Sequence, residues 1–450
     1  MRIFLIGSNI PFRRHDQPGV TAVHVVLYEL IRGLSGLGHG VVFQVLFNQH
    51  RSAGSLSPAE EGELQHVREI GIKVLPRIHS AQYVVPGTPS FRFGSVARLI
   101  ASQLGAVRID DFYPAINARE VVCERIYSNK ADAVLTVWSP EGVAATHGLS
   151  DVPRISYQGD IDFRPAEARF QDCELFDGAE GQPPQGSLKH TLQRLRQWLW
   201  LSRFRRAHLR LMHEVRVIAN VTAANAEYYS RQRHPRSIYV RNTWSDQALE
   251  GIDASKRPLP EAESRRPVKI IGHVGYLNRT GSTYGLKFLL VDLAPRLNQV
   301  MGGLEYEIHI IGGGEAVPAL RPWLAQEHVI QRGFVEDLDA ELISGDVFLL
   351  LNNAGSYHAA YTRHLVAWSL GLCLIVHENS RRTIPEIVHM ENALVGGTPA
   401  EVAEMVFLAA TDPELNQRIR KGGRATYKQY FTPLEVAKTL SDELVRARNA

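Results

Sequence analysis

The feature that most constrains the fold is a series of short apolar runs, each followed by a loop and a stretch with helical spacing. Residues 2–7 form such a run, and apolar side chains then recur at helical intervals between Thr21 and Leu37. A second run follows at 40–46. Strand, loop, helix and strand in this order predict the βαβ unit of a parallel sheet. Further strand-like runs lie at 133–137, 155–157 and 215–218, and they predict one doubly wound domain in the N-terminal half.

A second series of the same kind begins after a change in composition. Residues 245–266 contain Pro258-Leu-Pro260 and mixed charges, which are typical of a linker. Strand-like runs then recur at 268–272, 306–311, 329–333, 346–351 and 372–376. The sequence therefore predicts an α/β protein with two Rossmann-like domains facing each other across a cleft. The predicted boundaries are 1–245 for the first domain, 246–266 for the linker, 267–432 for the second domain and 433–450 for a C-terminal helix.

Composition and charge exclude several classes of protein. Of the 450 residues, 44% are hydrophobic and 22% charged, which is typical of a globular chain and not of a disordered one. The net charge of +3 is too small to indicate nucleic-acid binding by itself. Three widely spaced cysteines predict neither a disulfide framework nor a zinc site. The opening apolar run has neither the length of a membrane span nor the pattern of a signal peptide, so we expect a cytoplasmic protein.

Motifs for several common chemistries do not occur in the sequence. It contains no GxGxxG fingerprint, no Walker A loop, no nucleophile elbow and no His/Asp/Glu group with metal-ligand spacing. We therefore predict no metal and no cofactor. Three glycines at 312–314 follow a strand and precede a potential helix N-terminus, where backbone N–H groups bind anions. A plain tight turn explains these glycines equally well.

The last third of the chain carries a more specific pattern. The loop 355–364 precedes an apolar helix that ends at Gly371, and a strand and then Ile384-Pro385-Glu386 follow. This order resembles the C-terminal donor domain of the retaining family 4 glycosyltransferases, which have the GT-B fold. Segments elsewhere are similar to other motifs of that family, namely the Pro18-Gly19 loop, Asn242–Asp246, Ile270–Gly275, Gly333–Val335 and Gly423-Arg424. The resemblance covers nearly the whole chain.

The resemblance implies an enzyme that moves a sugar from a nucleotide-activated donor to a carbohydrate or lipid-linked acceptor. It implies retention of configuration and a role in cell-envelope polysaccharide or glycolipid assembly. Arginine and helix N-termini can neutralise a leaving diphosphate without a metal ion. The residues predicted to bind the donor are Gly19, Gly275, Arg279, Gly314, Phe334, Arg363, Arg382 and Glu386, with Arg381 as a further candidate.

Several positions depart from the family's pattern. The family's paired glutamates, which contact the donor sugar and the ribose, fall here on His358 and Val366. Its phosphate-binding Arg and Lys fall near Tyr276 and Tyr284. Its N-domain histidine falls on Gly159, beside Asp160. We therefore predict His358 and Asp160 as catalytic residues of a rebuilt site. Glu141, which also follows a strand, is a weaker candidate. A sugar-nucleotide epimerase and an inactive nucleotide-sugar-binding protein are the alternatives.

The stretch 187–213 is unusually basic. It carries seven Lys or Arg residues and no acid, interleaved with Trp198, Trp200 and Phe204, and its apolar residues keep helical spacing. A basic helix with aromatic residues is typical of binding to an anionic membrane surface. A core helix with a solvated basic face is the alternative. Nucleic acid is a third possibility, although no recognised nucleic-acid-binding module accompanies the cluster.

Overall fold

The fold was obtained as a computed structural model that describes residues 1–14, 20–47, 56–79, 107–177, 188–246 and 266–449. The chain forms two compact units. The first contains residues 1–170, 183–240 and 433–450, and the second contains residues 171–182 and 241–432. The division falls at Val240/Arg241, five residues before the predicted boundary at 245. Of the predicted linker 246–266, residues 247–265 lie outside the described part.

The described part of the first unit contains an eight-stranded parallel sheet. The strands are β1 (Arg2–Gly7), β2 (Gly40–Phe47), β3 (Lys73–Val74), β4 (Ile78–His79), β5 (Ala133–Val137), β6 (Arg154–Gln158), β7 (Val217–Asn220) and β8 (Ser237–Tyr239). The main order is β3-β2-β1-β5-β6-β7-β8, and β4 pairs with β2. β1 is buried apart from Arg2, as its run of apolar residues predicts for a strand covered on both faces.

Helices alternate with these strands along the chain. They are α1 (Ala22–Gly36), α2 (Pro58–Glu69), α3 (Arg119–Ser128), α4 (Pro140–Ala145), α5 (Arg164–Gln171), α6 (Cys173–Asp177), α7 (Leu188–Met212) and α8 (Ala223–Arg231). A 3₁₀ turn spans Pro114–Ala118. By its contacts, α6 belongs to the second unit. The strand–helix alternation of the N-terminal half confirms the predicted doubly wound domain.

The second unit contains a six-stranded parallel sheet in its described part. The strands are β9 (Val268–Val274), β10 (Tyr306–Ile311), β11 (Val329–Gly333), β12 (Val347–Leu350), β13 (Leu374–His377) and β14 (Leu394–Gly396), in the order β11-β10-β9-β12-β13-β14. Its helices are α9 (Thr280–Lys287), α10 (Ala294–Val300), α11 (Leu338–Ile343), α12 (Thr362–Leu370), α13 (Ser380–Thr383), α14 (Pro399–Thr411) and α15 (Pro413–Tyr430). A π-helical turn, Phe288–Leu293, joins α9 to α10, and a 3₁₀ turn spans Pro318–Ala325.

The C-terminal helix α16 (Pro433–Asn449) packs on the first unit. Gly33 of α1 permits the contact, because a Cβ at this position would lie 2.7 Å from the Cβ of Ala437. Arg236 anchors the helix through a bidentate ion pair with the buried Glu443. The predicted helical tail is therefore present, but the first unit includes it. Among the described helices, none is long and apolar enough to cross a membrane.

Candidate functional site

The strand order of the second sheet reverses at β9. The chain passes from β9 to its neighbour β10 on one side and later returns to β12 on the other. In an open parallel sheet, the loops at the carboxyl ends of the strands separate at such a point and leave room for a ligand. The loop 275–279 after β9 and the loop 351–361 after β12 are therefore the first candidates for a binding site.

The Arg363 guanidinium lies against the end of β9. Gly275 has φ = 112°, and a Cβ at this position would lie 2.7 Å from Nη2 of Arg363. Glycine is therefore required both by the backbone conformation and by the space that the guanidinium takes. The Arg363 side chain also lies 5.5 Å from the ring centroid of Tyr361.

Arg363 carries a charge that no described carboxylate neutralises. Its Nη1 is enclosed and has no hydrogen-bond partner among the described residues, and none of their carboxylates forms an ion pair with it. Burial lowers the pKa of Arg363 to about 10, so the group still carries its proton at neutral pH. An enclosed guanidinium with an unused N–H is poorly solvated. An anion would supply both the missing charge and the missing hydrogen-bond acceptor.

Two helix N-termini meet beside this guanidinium. α9 begins after Arg279 and α12 begins after Tyr361, and neither N-cap residue caps the first turn with its side chain. Gly281 brings the two starts together, since a Cβ there would overlap the hydroxyl of Tyr361. The positive ends of two helices therefore add to the charge of Arg363, which favours an anion such as phosphate.

His273 lies in the same cluster as Arg363. It sits on β9 beyond a bulge at Gly272, where the register with β10 shifts. Burial, and next the charge of Arg363, lower its pKa to about 3, so the ring is neutral. Its Nε2 is enclosed and has no partner within the described part of the chain. His364 is also fully buried, and its Nδ1 donates to the carbonyl of Tyr361 at 3.0 Å.

Asn353 holds the loop after β12. Its Oδ1 accepts a hydrogen bond from the backbone N–H of Ala359 at 2.9 Å, and its Nδ2 donates to the Ala359 carbonyl and to Ser380 Oγ, each at 3.2 Å. This clip fixes the backbone next to His358, which is half-buried. The hydrogen bonds of Asn353 therefore fix the loop that carries His358, the predicted sugar-contacting residue.

The same loop is held from the side by Asp172. Its carboxylate accepts hydrogen bonds from the hydroxyls of Tyr284 and Ser356, and the two hydroxyl oxygens lie 2.8 Å apart. The Tyr284 ring packs edge-on against Phe176. Gly355 is needed next to it, because a Cβ there would lie 2.1 Å from the Tyr284 ring. Tyr284 therefore supports the loop. It lies near the position where the family's pattern has a phosphate-binding residue.

Five other candidate donor-binding residues lie near the carboxyl ends of strands in this sheet. Arg279 is exposed beside Tyr276, and Gly314 (φ = 81°) lies against Tyr276 and Asn278. Phe334 follows β11 and is 63% exposed. Arg381 and Arg382 are exposed on the short helix α13. The structure thus collects these residues at one edge of the sheet, and Arg363 differs from them by its enclosure.

Glu386 has a partner within its own unit. Its carboxylate accepts a hydrogen bond from Nε of Arg241 at 2.5 Å, and its backbone carbonyl accepts one from Asn392 Nδ2.

Val366 is buried on α12. Gly19 lies outside the described residues, and its predicted role stays a prediction.

Asp160 belongs to the first unit and is exposed at the turn after β6. It lies in a cluster of titratable side chains that also contains Glu141 and Asp162. Sequence reasoning weighed Asp160 and Glu141 but missed Asp162, although the spacing Asp160-Ile-Asp162 contained the signal. It also missed His273, for which the signal was a histidine near the end of a largely apolar strand, and Asp172, for which the sequence holds no signal.

Comparisons with known proteins show what the part of the chain that carries this site is similar to. Residues 268–412 match the family described as "Glycosyl transferases group 1". No curated protein sequence matches the chain. The matched segment covers most of the second unit.

Solved structures resemble the chain over almost its whole length. A glycosyltransferase from Rickettsia africae is 11% identical with a TM-score of 0.58, and the match covers 99% of this chain and 98% of that one. Anabaena HepE, solved with UDP and glucose, is 12% identical with a TM-score of 0.55 over 98% and 99% of the two chains. Sucrose-phosphate synthase from Thermosynechococcus elongatus is 11% identical with a TM-score of 0.57 over 99% and 98%. At this identity the likeness shows the fold, which is the predicted GT-B fold with a helical C-terminal tail.

Proposed function

We propose that this protein is a glycosyltransferase that moves a sugar from a nucleotide-activated donor to a carbohydrate or lipid-linked acceptor. The observation that carries the proposal is the enclosed guanidinium of Arg363, which no described carboxylate neutralises and which lies beside two helix N-termini without a side-chain cap from their N-cap residues. It lies inside the region that matches the glycosyltransferase group 1 family. A neighbour of the same fold, HepE, binds UDP and glucose, which supports a nucleotide sugar as the donor.

In this proposal Arg363 and the two helix N-termini bind the diphosphate of the donor. As the bond between the sugar and the diphosphate breaks, negative charge develops on the leaving oxygen. Fixed positive charge placed there before the reaction stabilises the transition state. Arg279 and Arg382 add exposed cations at the same edge of the sheet. We propose that the charge is neutralised by these groups without a metal ion and that the anomeric configuration is retained.

The experiment that tests this function is incubation with a panel of uridine, guanosine, adenosine and thymidine diphosphate sugars. We expect release of the nucleoside diphosphate from at least one of them, by transfer or by slow hydrolysis, and a product anomer that proton NMR identifies as retained. Binding without any product would indicate an inactive binding protein. A released or enzyme-bound epimer of the donor would indicate an epimerase.

His358 should contribute to turnover more than to nucleotide binding. It lies on the clipped loop in the position of the sugar-contacting residue, and its imidazole can donate or accept one hydrogen bond. His358→Ala should lower turnover by roughly ten- to a thousand-fold because it removes a contact made in the transition state. The affinity for nucleoside diphosphate should change by less than about two-fold, within the range of uncoupled surface changes.

A matched control for this variant is His328→Ala in the same unit. His328 stacks on Tyr306 just before β11, at the opposite edge of the sheet from the site. Steady-state kinetics should show wild-type turnover for this control. Wild-type turnover in His358→Ala would contradict the assignment of His358 to the reaction.

We also propose that the N-terminal half of α7 contacts an anionic membrane surface. Leu188, Leu195 and Trp198 are 76%, 41% and 53% exposed and lie on one side of the helix, with Lys189 and Arg196 exposed beside them. The C-terminal half differs. There Arg203 is buried in an ion pair with Asp111 at 3.0 Å, and Leu211 and Met212 are in the core. The second half is therefore a core helix, and in the first half Leu199 is buried and Arg194 packs on Phe170.

Sedimentation with vesicles tests this contact. At low salt we expect the protein to pellet with phosphatidylglycerol vesicles and not with phosphatidylcholine vesicles, and pelleting should weaken as salt screens the charges. Lys189→Gln and Arg196→Gln should each weaken binding by about five-fold, since a basic residue near the surface contributes about 1 kcal/mol. Val445→Ser, at an exposed apolar residue of α16, is the control that should change nothing. Equal pelleting of both kinds of vesicle, or none, would contradict the proposal.

A further inference from the structure

A chain of hydrogen bonds in the first unit ends on Asp162. The Tyr113 hydroxyl donates to Asp162 Oδ2 at 3.1 Å, and its oxygen lies 2.7 Å from Nδ1 of His208. On the other side of the ring, His208 Nε2 lies 2.6 Å from the hydroxyl of Tyr229. Tyr113, His208 and Tyr229 are buried, whereas about 30% of the Asp162 side chain is exposed. This series of hydrogen bonds therefore runs from the core to a partly exposed carboxylate.

The protons in this chain have one consistent arrangement. Burial lowers the pKa of His208 to about 3, so the ring is neutral and carries one N–H. Because Tyr113 donates its proton to Asp162, its oxygen accepts, and the donor to it must be Nδ1–H of His208. Nε2 then accepts from Tyr229. Every donor in the chain points toward Asp162, which fixes the orientation of that carboxylate and leaves its exposed side available.

Asp162 lies at the carboxyl edge of the first sheet with other polar groups around it. The charged and titratable groups that face it are Asp160, Glu141, Tyr113, His208 and Tyr229. Burial, and next the charge of Asp160, raise the pKa of Asp162 to about 7, against the lowering effect of the hydrogen bond from Tyr113. Burial likewise raises the pKa of Glu141 to about 7, with the charge of Asp162 adding to the rise.

A second, independent observation beside these carboxylates points to a ligand. Trp138 follows β5, which pairs with β6, and its ring packs against Gly159, where a Cβ would lie 3.0 Å from Cδ2. The indole Nε1 is enclosed and has no hydrogen-bond partner among the described residues. An oriented carboxylate and an unused indole N–H next to the same turn complement a molecule that carries hydroxyl groups.

We propose that Asp162 binds the acceptor of the reaction, its ionised carboxylate accepting a hydrogen bond from a hydroxyl group of that molecule. Trp138 Nε1 donates to a second oxygen of the same acceptor. The ligand class is a hydroxyl-bearing carbohydrate. The inference rests on the proposed function and moves the central role in the first unit from Asp160 to Asp162. Tyr113 and Asp160 act on the reaction by setting the proton affinity of Asp162, and they are positioning residues.

The pH dependence of transfer tests the assignment. The probe is transfer from an active nucleotide sugar to methyl glycosides of glucose, galactose and mannose. Transfer by the wild type should be lost as the pH falls through about 7, because the ionised carboxylate is required. Asp160→Asn removes a negative neighbour and should move the midpoint to lower pH. Tyr113→Phe removes the hydrogen bond to the carboxylate and should move it to higher pH. A merely structural role predicts no such opposite shifts.

A second measurement separates this inference from the proposed function. Asp162→Asn should lower transfer at least about 100-fold while the affinity for nucleoside diphosphate stays within about two-fold. Saturation-transfer NMR should show methyl glycosides bound to the wild type and not to Asp162→Asn. If the wild type binds a glycoside through Asp162 but turns over no donor, the proposed function fails and the acceptor site stands. Unchanged transfer or glycoside binding in Asp162→Asn, or midpoints unmoved in both other variants, would overturn the inference.

Discussion

Arg363→Ala should weaken the binding of nucleoside diphosphate by about 10- to 150-fold. A charge-assisted hydrogen bond contributes roughly 1.5–3 kcal/mol, and in Arg363 the unused Nη1 has already lost its water. The neighbouring Arg279 is exposed, so solvent screens its charge and Arg279→Ala should have a smaller effect. Isothermal titration calorimetry with uridine, guanosine and adenosine diphosphates measures both variants under the same conditions.

The stability of the Arg363 variant provides the control. Burial lowers the pKa of Arg363 to about 10. The guanidinium is still charged at neutral pH, but its charged form is less stable in the folded protein than in water. Removal of the charge should therefore leave the thermal unfolding midpoint no lower than that of the wild type. Arg363→Gln, which retains more of the side chain, should lose affinity in the same way. Equal loss of affinity in the Arg279 and Arg363 variants would contradict a special role for the enclosed guanidinium.

The repeated strand–helix pattern predicted the fold because local physics determines it. The runs 2–7, 133–137, 306–311 and 329–333 are strands with the predicted bounds. The predicted strand 268–272 extends to Val274, because a bulge at Gly272 lets the chain continue pairing with β10. β3, β4, β8 and β14 were missed, since two or three residues are too few to show an alternating or apolar pattern.

The candidate site was predictable in part, because the sequence shows which residues follow strands but not how deeply they are buried. Arg279, Arg363, Arg381 and Arg382 carry the same charge, and packing against Gly275 and Tyr361 in the folded protein distinguishes Arg363 from the others. The clip from Asn353 to Ser380 and the contact of Asp172 with Tyr284 join residues that are distant in the sequence. Their hydrogen bonds depend on the tertiary fold and leave no local periodicity that the sequence could display.

The floor of the site depends on the close approach of two strand ends. Gly275 N–H donates to the Ile311 carbonyl at 2.9 Å, Gly312 N–H donates to the Gly333 carbonyl at 2.8 Å, and Leu277 N–H donates to the Gly313 carbonyl at 3.1 Å. Gly312 has φ = 131°, and a Cβ there would lie 2.1 Å from the carbonyl oxygen of Gly275. Gly275 in turn contacts the guanidinium of Arg363. A substitution at Gly312 that displaces Gly275 should therefore also disturb the anion site.

Gly312→Ala should destabilise the second unit by about 2–5 kcal/mol, the sum of about 1–2 for the left-handed backbone and about 1–3 for the overlap with backbone that has no rotamer to change. Gly303→Ala is the matched control, because Gly303 also has a positive φ of 101° but nothing lies within 4 Å of its Cβ position. It should cost about 1–2 kcal/mol, the backbone term alone. Hydrogen-exchange mass spectrometry of peptides from β9 and β10 measures both losses in the unit concerned. If the two variants lose protection equally, the contact between Gly312 and Gly275 does not hold the strand ends together. The inference that Gly312 supports the position of Arg363 through Gly275 is then wrong.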